Sequence, residues 1–302
     1  MDWRCDYIQN RQALIGVCEF TRSNINWGNI KERMKMKKFL AGALLSVSAL
    51  TLAACGNEES GELVVGASNV PHAEILEQVK PILEEQGIEL KIETYQDYVL
   101  PNKDLESGDL DANFFQHIPY LEGQIKDNGY DFVNAGGIHI EPIGVYSKKY
   151  KSLEELPEGA TIIMSNSVAD HGRVLSLLEA KGLIKLADGI DKTAAEVKDV
   201  VENKKNLKFD ANYEPALLVQ LYENEEGDAV LINSNFAIDA GINPLEESIA
   251  LEDKESPYVN IVAVRAEDKD KKEIKALVDA LHSKEIQDFI ITEWNGSVVP
   301  VN

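Results

Sequence analysis

The sequence predicts an α/β protein built from two lobes. Apolar runs that suit buried strands alternate with segments of helical periodicity, beginning with a strand at 63–67, a helix at 73–85 and a strand at 88–94. This order implies a sheet that is covered by helices. The pattern restarts near residues 140 and 258, which indicates that two strand crossings join the lobes.

The remaining elements follow from the same periodicities and from glycine and proline breaks. Further strands are predicted at 132–135, 138–146, 160–164, 207–209, 229–232 and 258–264. Further helices are predicted at 102–107, 120–128, 167–180, 194–202, 216–224 and 271–290. The helix that starts at Ser167 has a capping-box-like beginning with Asp170. The predicted domain boundaries are 63–140 and 259–302 for lobe 1 and 141–258 for lobe 2.

A secretion signal is predicted at 36–54. Lys37 and Lys38 precede an uncharged run rich in Leu and Ala, which is too short and wrongly flanked to be a spanning helix. The run ends in Leu-Ala-Ala-Cys-Gly-Asn, which resembles a bacterial lipobox, so we expect Cys55 to carry the lipid of the mature protein. The alternative is an ordinary signal peptide with an incidental cysteine.

Residues 1–35 are predicted to be a non-translated or dispensable extension. A signal peptide acts from the amino end, and Met36 directly precedes the charged start. The codons for Lys31, Glu32 and Arg33 can contain a ribosome-binding sequence, which favours a start at Met36. The competing interpretation is a genuine cytoplasmic leader.

The part of the chain beyond the signal is strongly acidic. Residues 1–54 hold eight of the 30 Lys and Arg and four of the 52 Asp and Glu, which leaves 22 basic and 48 acidic residues. Such a charge disfavours nucleic acid as a partner. Cys55 is the one cysteine that remains, so an intramolecular disulfide is excluded and the thiol suits lipid attachment. We predict a small, acidic tether at 55–62.

The segment 109–120 combines features of a core with those of a pocket wall. Its aromatic and polar members include Phe114, Phe115, Gln116, His117 and Tyr120. Aromatic rings with a few placed polar groups are typical of a small-molecule site. The same residues also fit a helix start whose rings bury in a core, and residue types alone favour that alternative.

The sequence carries weak support for metal or cofactor chemistry, and we predict neither. The five histidines are scattered, without a pair at helical spacing or a usable second cysteine. Gly136-Gly137 lacks the Lys-Ser/Thr of a phosphate loop. Ser165 and Ser167 follow a strand without the Gly-x-Ser-x-Gly pattern, so no catalytic residue is assigned.

Three polar residues outside that segment suit the binding of an amino acid. Arg173, near a helix start, can pair with a carboxylate through two parallel hydrogen bonds. Asn233 and Asn260 lie at or in strands, where an amide can hold an ammonium or a carboxylate. The alternatives are a solvated arginine, a turn-forming Asn233 and an edge-strand Asn260.

Several motifs in one order resemble the MetQ/NlpA family of methionine-binding lipoproteins. They are DYVLPN at 97–102, DLDAN at 109–113, FQHIPYL at 115–121, YSKK at 146–149, GLIKL at 182–186 and EDKESPYVN at 252–260. The match covers nearly everything from Met36 to the end. It implies a two-lobed periplasmic-binding-protein fold, type II-like, that closes on a free amino acid.

The resemblance also implies the roles of individual residues and the partners. The residues expected around the methionine side chain are Tyr98, Phe115, His117 and Tyr120, whereas Phe114 and Ile118 are expected to face the core. Arg173 would hold the α-carboxylate, and Asn233 and Asn260 would fix the carboxylate and the ammonium. The partners would be L-methionine and the permease and ATPase subunits of an ABC importer, at the extracytoplasmic face of the cell membrane.

Two departures from the family pattern concern the second lobe, at 166–172 and at 213–218. They leave D-methionine, a methionine derivative and a methionine-containing dipeptide open as ligands. Two other classes of function also stay open. One is a surface hydrolase with His117 as base, and the other is a surface adhesin.

Overall fold

The computed structural model describes residues 61–301, and in this range the chain forms thirteen strands and nine α-helices. The predicted extension at 1–35, the signal at 36–54, Cys55 and most of the predicted tether at 55–62 lie outside the described residues. The first strand begins at Gly61, two residues before its predicted start.

The strands are β1 Gly61–Ser68, β2 Ile88–Tyr95, β3 Ala112–His117, β4 Phe132–Ile140, β5 Gly144–Tyr146, β6 Thr161–Ser165, β7 Ile184–Leu186, β8 Val200–Asn203, β9 Lys208–Tyr213, β10 Ala229–Ile232, β11 Ser248–Leu251, β12 Val259–Arg265 and β13 Val299–Pro300. The helices are α1 Glu74–Glu84, α2 Leu100–Ser107, α3 Ile118–Asn128, α4 Val168–Ala180, α5 Leu218–Glu223, α6 Ser234–Asp239, α7 Pro244–Glu247, α8 Lys272–Leu281 and α9 Lys284–Trp294.

Two sheets form the two predicted lobes. The first has the strand order β13-β4-β12-β3-β1-β2, and the second has the order β11-β5-β10-β6-β9. The chain passes from the first sheet to the second between β4 and β5, and it returns between β11 and β12. Two crossings that connect two α/β lobes confirm the predicted fold class.

Both faces of each sheet carry apolar side chains, which are buried under the helices and loops that cover the sheet. In the first lobe α1 places Ile75, Leu76, Val79 and Leu83 in the core, as its stripe predicts. In the second lobe α4 packs Val174, Leu175 and Leu178 against the strands around Ile162 and Leu231. These cores hold the strand ends that meet at the interface between the lobes.

One predicted helix is wrong. The segment 194–202 contains short 3₁₀ turns at Lys192–Ala194 and Val197–Asp199, followed by β8, which pairs with β7 in a two-stranded ribbon. Val200 and Val201 favour a strand because their branched side chains suit a pleated surface. The predicted helix at 271–290 is divided into α8 and α9 by a break at Ser283, whose side chain caps α9.

Gly172 lets α4 lie directly against the neighbouring 3₁₀ turn, and this contact supplies a test of the packing. A Cβ at Gly172 would lie 2.7 Å from the carbonyl carbon of Thr193, whereas a Cβ at Gly123 in α3 would meet nothing within 4 Å. We expect Gly172→Ala to destabilise the protein by about 1–3 kcal/mol. Gly123→Ala, the matched helical control, is expected to be stabilising by up to about 1 kcal/mol. Urea denaturation measures both, and equal effects would contradict the packing.

Candidate functional site

A cavity between the lobes brings all seven predicted site residues together. The first lobe contributes Tyr98, Phe115, Gln116, His117, Tyr120 and Asn260, and the second lobe, with the crossing that precedes it, contributes Glu141, Arg173, Asn233, Ser234 and Asn235. The free space is about 30 Å³, room for one or two waters. The lobes therefore lie close together over the site, and a ligand of amino-acid size needs them to separate in order to enter.

Three aromatic rings form one wall of the cavity. The centroids of Tyr98, Phe115 and Tyr120 lie 6.0 to 6.1 Å from one another. Phe115 faces the cavity because β3 is a strand, so its neighbour Phe114 points to the opposite face and packs in the core. Ile118 also packs on core residues, as predicted. The alternative of a helix start with buried rings holds in part, because α3 begins at Ile118 and Phe114 is buried in the core, whereas Phe115 and Tyr120 line the cavity.

The rings are held by hydrogen bonds within and between the lobes. The Tyr120 hydroxyl donates to the carbonyl of Tyr98 at 2.7 Å. The Tyr98 hydroxyl donates to Oδ1 of Asn235 at 2.6 Å, which links the first lobe to the second. Burial raises the pKa of Tyr98, so this hydroxyl stays protonated and remains a donor at neutral pH.

His117 is fixed in one tautomer by its place at the start of α3. Its Nδ1 accepts a hydrogen bond from the backbone N–H of Tyr120 at 3.1 Å, so the proton lies on Nε2. Nε2 faces Oδ1 of Asp170 at 3.4 Å. His117 is therefore a neutral donor that connects the aromatic wall with a carboxylate of the second lobe.

Asp170 does not cap α4, contrary to the capping-box expectation. Ser167 makes no side-chain capping bond, and the Asp170 carboxylate turns inward to accept from Ser165 Oγ at 3.1 Å and Asn233 Nδ2 at 3.2 Å. Burial acts to raise the pKa of Asp170, but the bond from His117 and the nearby Arg173 outweigh it and hold the pKa below its usual value.

Arg173 is buried, with 3% of its surface exposed, so the alternative of a solvated arginine is wrong. Its Nε donates to Oε2 of Glu252 at 2.7 Å, and its Nη2 contacts the same oxygen at 2.5 Å and the backbone carbonyl of Glu141. The guanidinium carbon lies 4.9 Å from the ring centroid of Tyr258. Burial acts to lower the pKa of Arg173, but Glu252 outweighs it and raises the pKa. Among residues 61–301 no hydrogen bond uses Nη1, which leaves the N–H groups on this edge of the guanidinium for a further acceptor.

Both asparagines line the cavity, and Asn233 offers it an acceptor. Asn233 follows β10 and gives its Nδ2 to Asp170, while its buried Oδ1 has no partner within the described part of the chain. Asn260 lies in β12, between β4 and β3, so the edge-strand alternative is wrong. An orphaned buried oxygen is costly, so Oδ1 of Asn233 is suited to accept from a ligand.

Glu141 is the charged residue that sequence reasoning missed. It directly follows β4 and lines the cavity, and its Oε1 lies 3.2 Å from Nε2 of His72 and 2.8 Å from Nε2 of His139. Burial raises the pKa of Glu141, and His72 and Arg173 act against this shift. The spacing of His72 and His139 in the sequence did not predict that they meet, because they lie on different elements. The one signal for Glu141 in the sequence was its position as a single charged residue in an apolar run. Ser234 and Asn235 also line the cavity and were not predicted, and Gln116 lines it as a polar member of the segment 109–120.

The sequence model of the NlpA lipoprotein family matches residues 63–302. The chain belongs to the NlpA lipoprotein family. This family is one of substrate-binding lipoproteins of transporters and not a class of enzymes.

Individual members of the NlpA family resemble the chain over most of its length. The methionine-binding lipoprotein MetQ of Bacillus subtilis (strain 168) is 50% identical over 274 residues, which cover 88% of this chain and 100% of the relative. The D-methionine-binding lipoprotein MetQ of Salmonella typhi is 40% identical over 269 residues, with 88% and 98% covered. A nutrient binding protein from Burkholderia cenocepacia, solved bound to methionine, is 43% identical with a TM-score of 0.75, and the match covers 80% of this chain and 100% of that one.

The relatives' names also bear on location. Both curated relatives are named lipoproteins, in keeping with an anchor at the membrane. Within the described range, no helix of this NlpA-family chain has the length and apolar character needed to cross a membrane.

The buried histidines predict how stability depends on pH. Burial lowers the pKa of His72 to about 4 and that of His139 to about 3. Between pH 6.5 and 4 the unfolded chain therefore binds protons that the folded protein does not, so stability falls as the pH falls. The raised pKa of Glu141 acts in the opposite direction.

Removing one imidazole isolates this effect. In His139→Gln, the fall in unfolding free energy should be less steep by up to about 1.4 kcal/mol per pH unit. Urea denaturation of the wild-type protein and of His139→Gln from pH 7 to 4 measures how steeply the unfolding free energy of each falls with pH. The same pH dependence in both proteins would contradict the assignment of a neutral, buried His139.

Proposed function

We propose that the protein is a lipid-anchored substrate-binding protein that captures L-methionine between its lobes and delivers it to an ABC importer. One observation carries this proposal: the cavity places a buried cation and a set of buried acceptors opposite a wall of three aromatic rings. Such a cavity matches a zwitterion with an apolar side chain.

The charged groups suit the two ends of an amino acid. Nη1 of Arg173 can donate to the α-carboxylate in a charge-assisted hydrogen bond. The Glu141 carboxylate and Oδ1 of Asn233 can accept from the ammonium, with Asn260 beside them. A cation for one end and acceptors for the other fix the orientation of the backbone of the ligand.

The aromatic wall suits the thioether. A sulfur near ring edges is stabilised by contact with the aromatic system, and a flexible, unbranched side chain fits among Tyr98, Phe115 and Tyr120. His117 lies next to Tyr120, with 6.2 Å between the ring centroids, and closes this side of the cavity. These contacts favour methionine over a charged or strongly polar side chain.

The names of relatives support methionine and leave its stereochemistry to experiment. The Burkholderia cenocepacia structure holds methionine, and the Bacillus subtilis relative at 50% identity is named for methionine. D-methionine is the alternative ligand, since the Salmonella typhi relative is named for it at 40% identity. A methionine-containing dipeptide is a further alternative ligand.

Closure of the lobes would be the signal for transport. Contacts across the interface, such as Tyr98 to Asn235 and His117 to Asp170, stabilise the approach of the lobes. A bound ligand can contact both lobes only when the lobes are together, so its binding stabilises the closed form further. The permease and ATPase subunits of the importer would then recognise the closed form.

The lipid anchor belongs to the same proposal. A lipid on Cys55, after removal of the signal at 36–54, would hold the folded body at the extracytoplasmic face of the cell membrane. The short acidic segment that follows would separate the anchor from β1.

We also propose that the protein is not an enzyme. The hydrolase alternative needs a nucleophile next to His117, and Nε2 of this histidine is directed at Asp170. The nearby Ser165 hydroxyl donates to the same carboxylate, so His117 does not activate it. The cavity groups are therefore arranged to hold a ligand and not to attack it.

Isothermal titration calorimetry with four ligands tests the proposal. L-methionine should bind with 1:1 stoichiometry and more tightly than D-methionine, Gly-Met or norleucine, which lacks the sulfur. Norleucine should retain part of the affinity because it keeps both charged groups and the length of the side chain. The absence of heat and of a thermal shift with all four ligands would overturn the assignment, as would turnover of a bound ligand.

A further inference from the structure

Two buried histidines lie behind the cavity wall and take no part in the proposed contacts with the ligand. His72 lies in the turn Asn69–Ala73 that leads into α1, and His139 lies in β4, two residues before Glu141. Neither histidine lines the cavity, but Glu141 does. Their exposed fractions are 1% and 0%. Both imidazoles are therefore buried next to the carboxylate of Glu141. They can affect a ligand through this carboxylate, because it lines the cavity.

Both imidazoles contact the same oxygen of Glu141. Nε2 of His139 lies 2.8 Å from Oε1, and Nε2 of His72 lies 3.2 Å from Oε1 and 3.3 Å from Oδ1 of Asn260. These acceptors are oxygens, so hydrogen bonds form only if each Nε2 carries the proton. The backbone N–H of Asn235 also acts on this carboxylate, and among residues 61–301 no side chain donates to its second oxygen, Oε2.

The other nitrogen of each ring supports this tautomer. Nδ1 of His72 and Nδ1 of His139 are buried, and neither has a hydrogen-bond partner among residues 61–301. Phe114 packs against both imidazoles in T-shaped contacts, with ring centroids at 4.7 and 5.3 Å. A proton on Nδ1 would be a buried donor without an acceptor, which is unfavourable. Each ring therefore carries its proton on Nε2, towards Glu141.

The same observation argues against a metal ion at this cluster. Two imidazoles and a carboxylate are groups that bind zinc, and their ligand atoms lie within 4.8 Å of one another. A histidine that binds metal through Nε2 must carry its proton on Nδ1, and that N–H is almost always hydrogen-bonded. In the described part of the chain, neither Nδ1 has an acceptor. The geometry suits two donors on one carboxylate.

We propose that His72 and His139 are positioning residues that fix Glu141 as the receptor for the ligand's ammonium group. The N–H of His139 holds Oε1, and His72 packs against the same oxygen while its N–H donates to Asn260, which also lines the cavity. This inference rests on the proposed function, and it adds a rule of specificity. The site selects ligands with a free α-ammonium and rejects amino acids whose nitrogen is acylated.

The electrostatics of the cluster agree with this role. Burial lowers the pKa of both imidazoles, so they remain neutral at physiological pH and do not cancel the charge of the carboxylate. Two neutral donors stabilise a buried anion without forming an ion pair with it. Burial raises the pKa of Glu141, and hydrogen bonding to the carboxylate acts against this shift by stabilising its charged form.

A comparison of two ligands separates this role from a structural one. L-methionine has the ammonium, whereas 4-(methylthio)butanoate has the same carboxylate and thioether without it. We expect His139→Phe to weaken binding of L-methionine by about tenfold to a hundredfold, the loss that is usual at metal sites when a partner that orients a ligand-binding side chain is removed. Binding of 4-(methylthio)butanoate should change by less than about threefold.

Matched variants complete the experiment. His139→Gln, whose amide nitrogen can occupy the place of Nε2, should restore most of the affinity for L-methionine. His282→Phe removes an exposed histidine of the same lobe whose Nε2 donates to the carbonyl of Gly137, and it should leave both affinities unchanged. If His139→Phe does not fold, His72→Phe and His72→Gln repeat the comparison at the other donor.

The outcomes distinguish this inference from the proposed function. Equal losses for both ligands, or unchanged binding of L-methionine, would overturn the inference alone. Binding of one equivalent of Zn²⁺ by the wild-type protein, lost in His139→Phe, would also overturn it. Wild-type protein that does not bind L-methionine would overturn the proposed function and this inference with it.

Discussion

The cavity depends on the burial of the Arg173 guanidinium. A buried cation is tolerated only where protein groups replace its water, and the partners of Arg173 come from both chain crossings. Glu141 belongs to the crossing between β4 and β5, and Glu252 and Tyr258 belong to the crossing between β11 and β12. Arg173 therefore ties α4 to both segments that join the lobes. A ligand carboxylate at Arg173 would act directly on the segments that move when the lobes open and close.

The arrangement of charged and apolar groups in the cavity fixes how an amino acid can be oriented there. The guanidinium of Arg173 lies near the chain crossings, and Glu141 and Oδ1 of Asn233 are the acceptors that suit an ammonium. The aromatic wall is formed mainly by the first lobe. The two buried carboxylates are held by neutral donors. Asp170 accepts from His117, Ser165 and Asn233, and Glu141 accepts from His139, with His72 packed against the same oxygen. Neutral donors stabilise an anion and leave its charge to interact with a ligand. The pairing of Arg173 with Glu252 is different, because it holds the cation by an opposite charge.

Much of the fold was predictable from the sequence, because apolar runs of four to eight residues mark β1, β6, β10 and β12, and glycine ends several helices. The strand β3 was hidden, because every residue from Ala112 to His117 is buried and shows no alternation. The segment 194–202 was wrongly predicted to be helical. Its strand β8 is stabilised by pairing with β7, and this tertiary contact cannot be read from the periodicity of the sequence. All seven predicted site residues line one cavity, and their roles in binding stay predictions. Glu141 and the histidines behind it escaped detection because they converge only through the packing of β4 against the turn before α1.

The most direct measurement of the central claim is the affinity of Arg173→Gln for L-methionine by calorimetry, with Arg265→Gln as the control. Arg265 is the other arginine of the described range, and it holds Asp268 and backbone carbonyls away from the cavity. Loss of the buried cation should weaken binding by at least about thirtyfold, or about 2 kcal/mol, while Arg265→Gln should leave it unchanged. Equal affinity in the wild-type protein and in a folded Arg173→Gln variant would contradict the assignment of Arg173 to the ligand carboxylate.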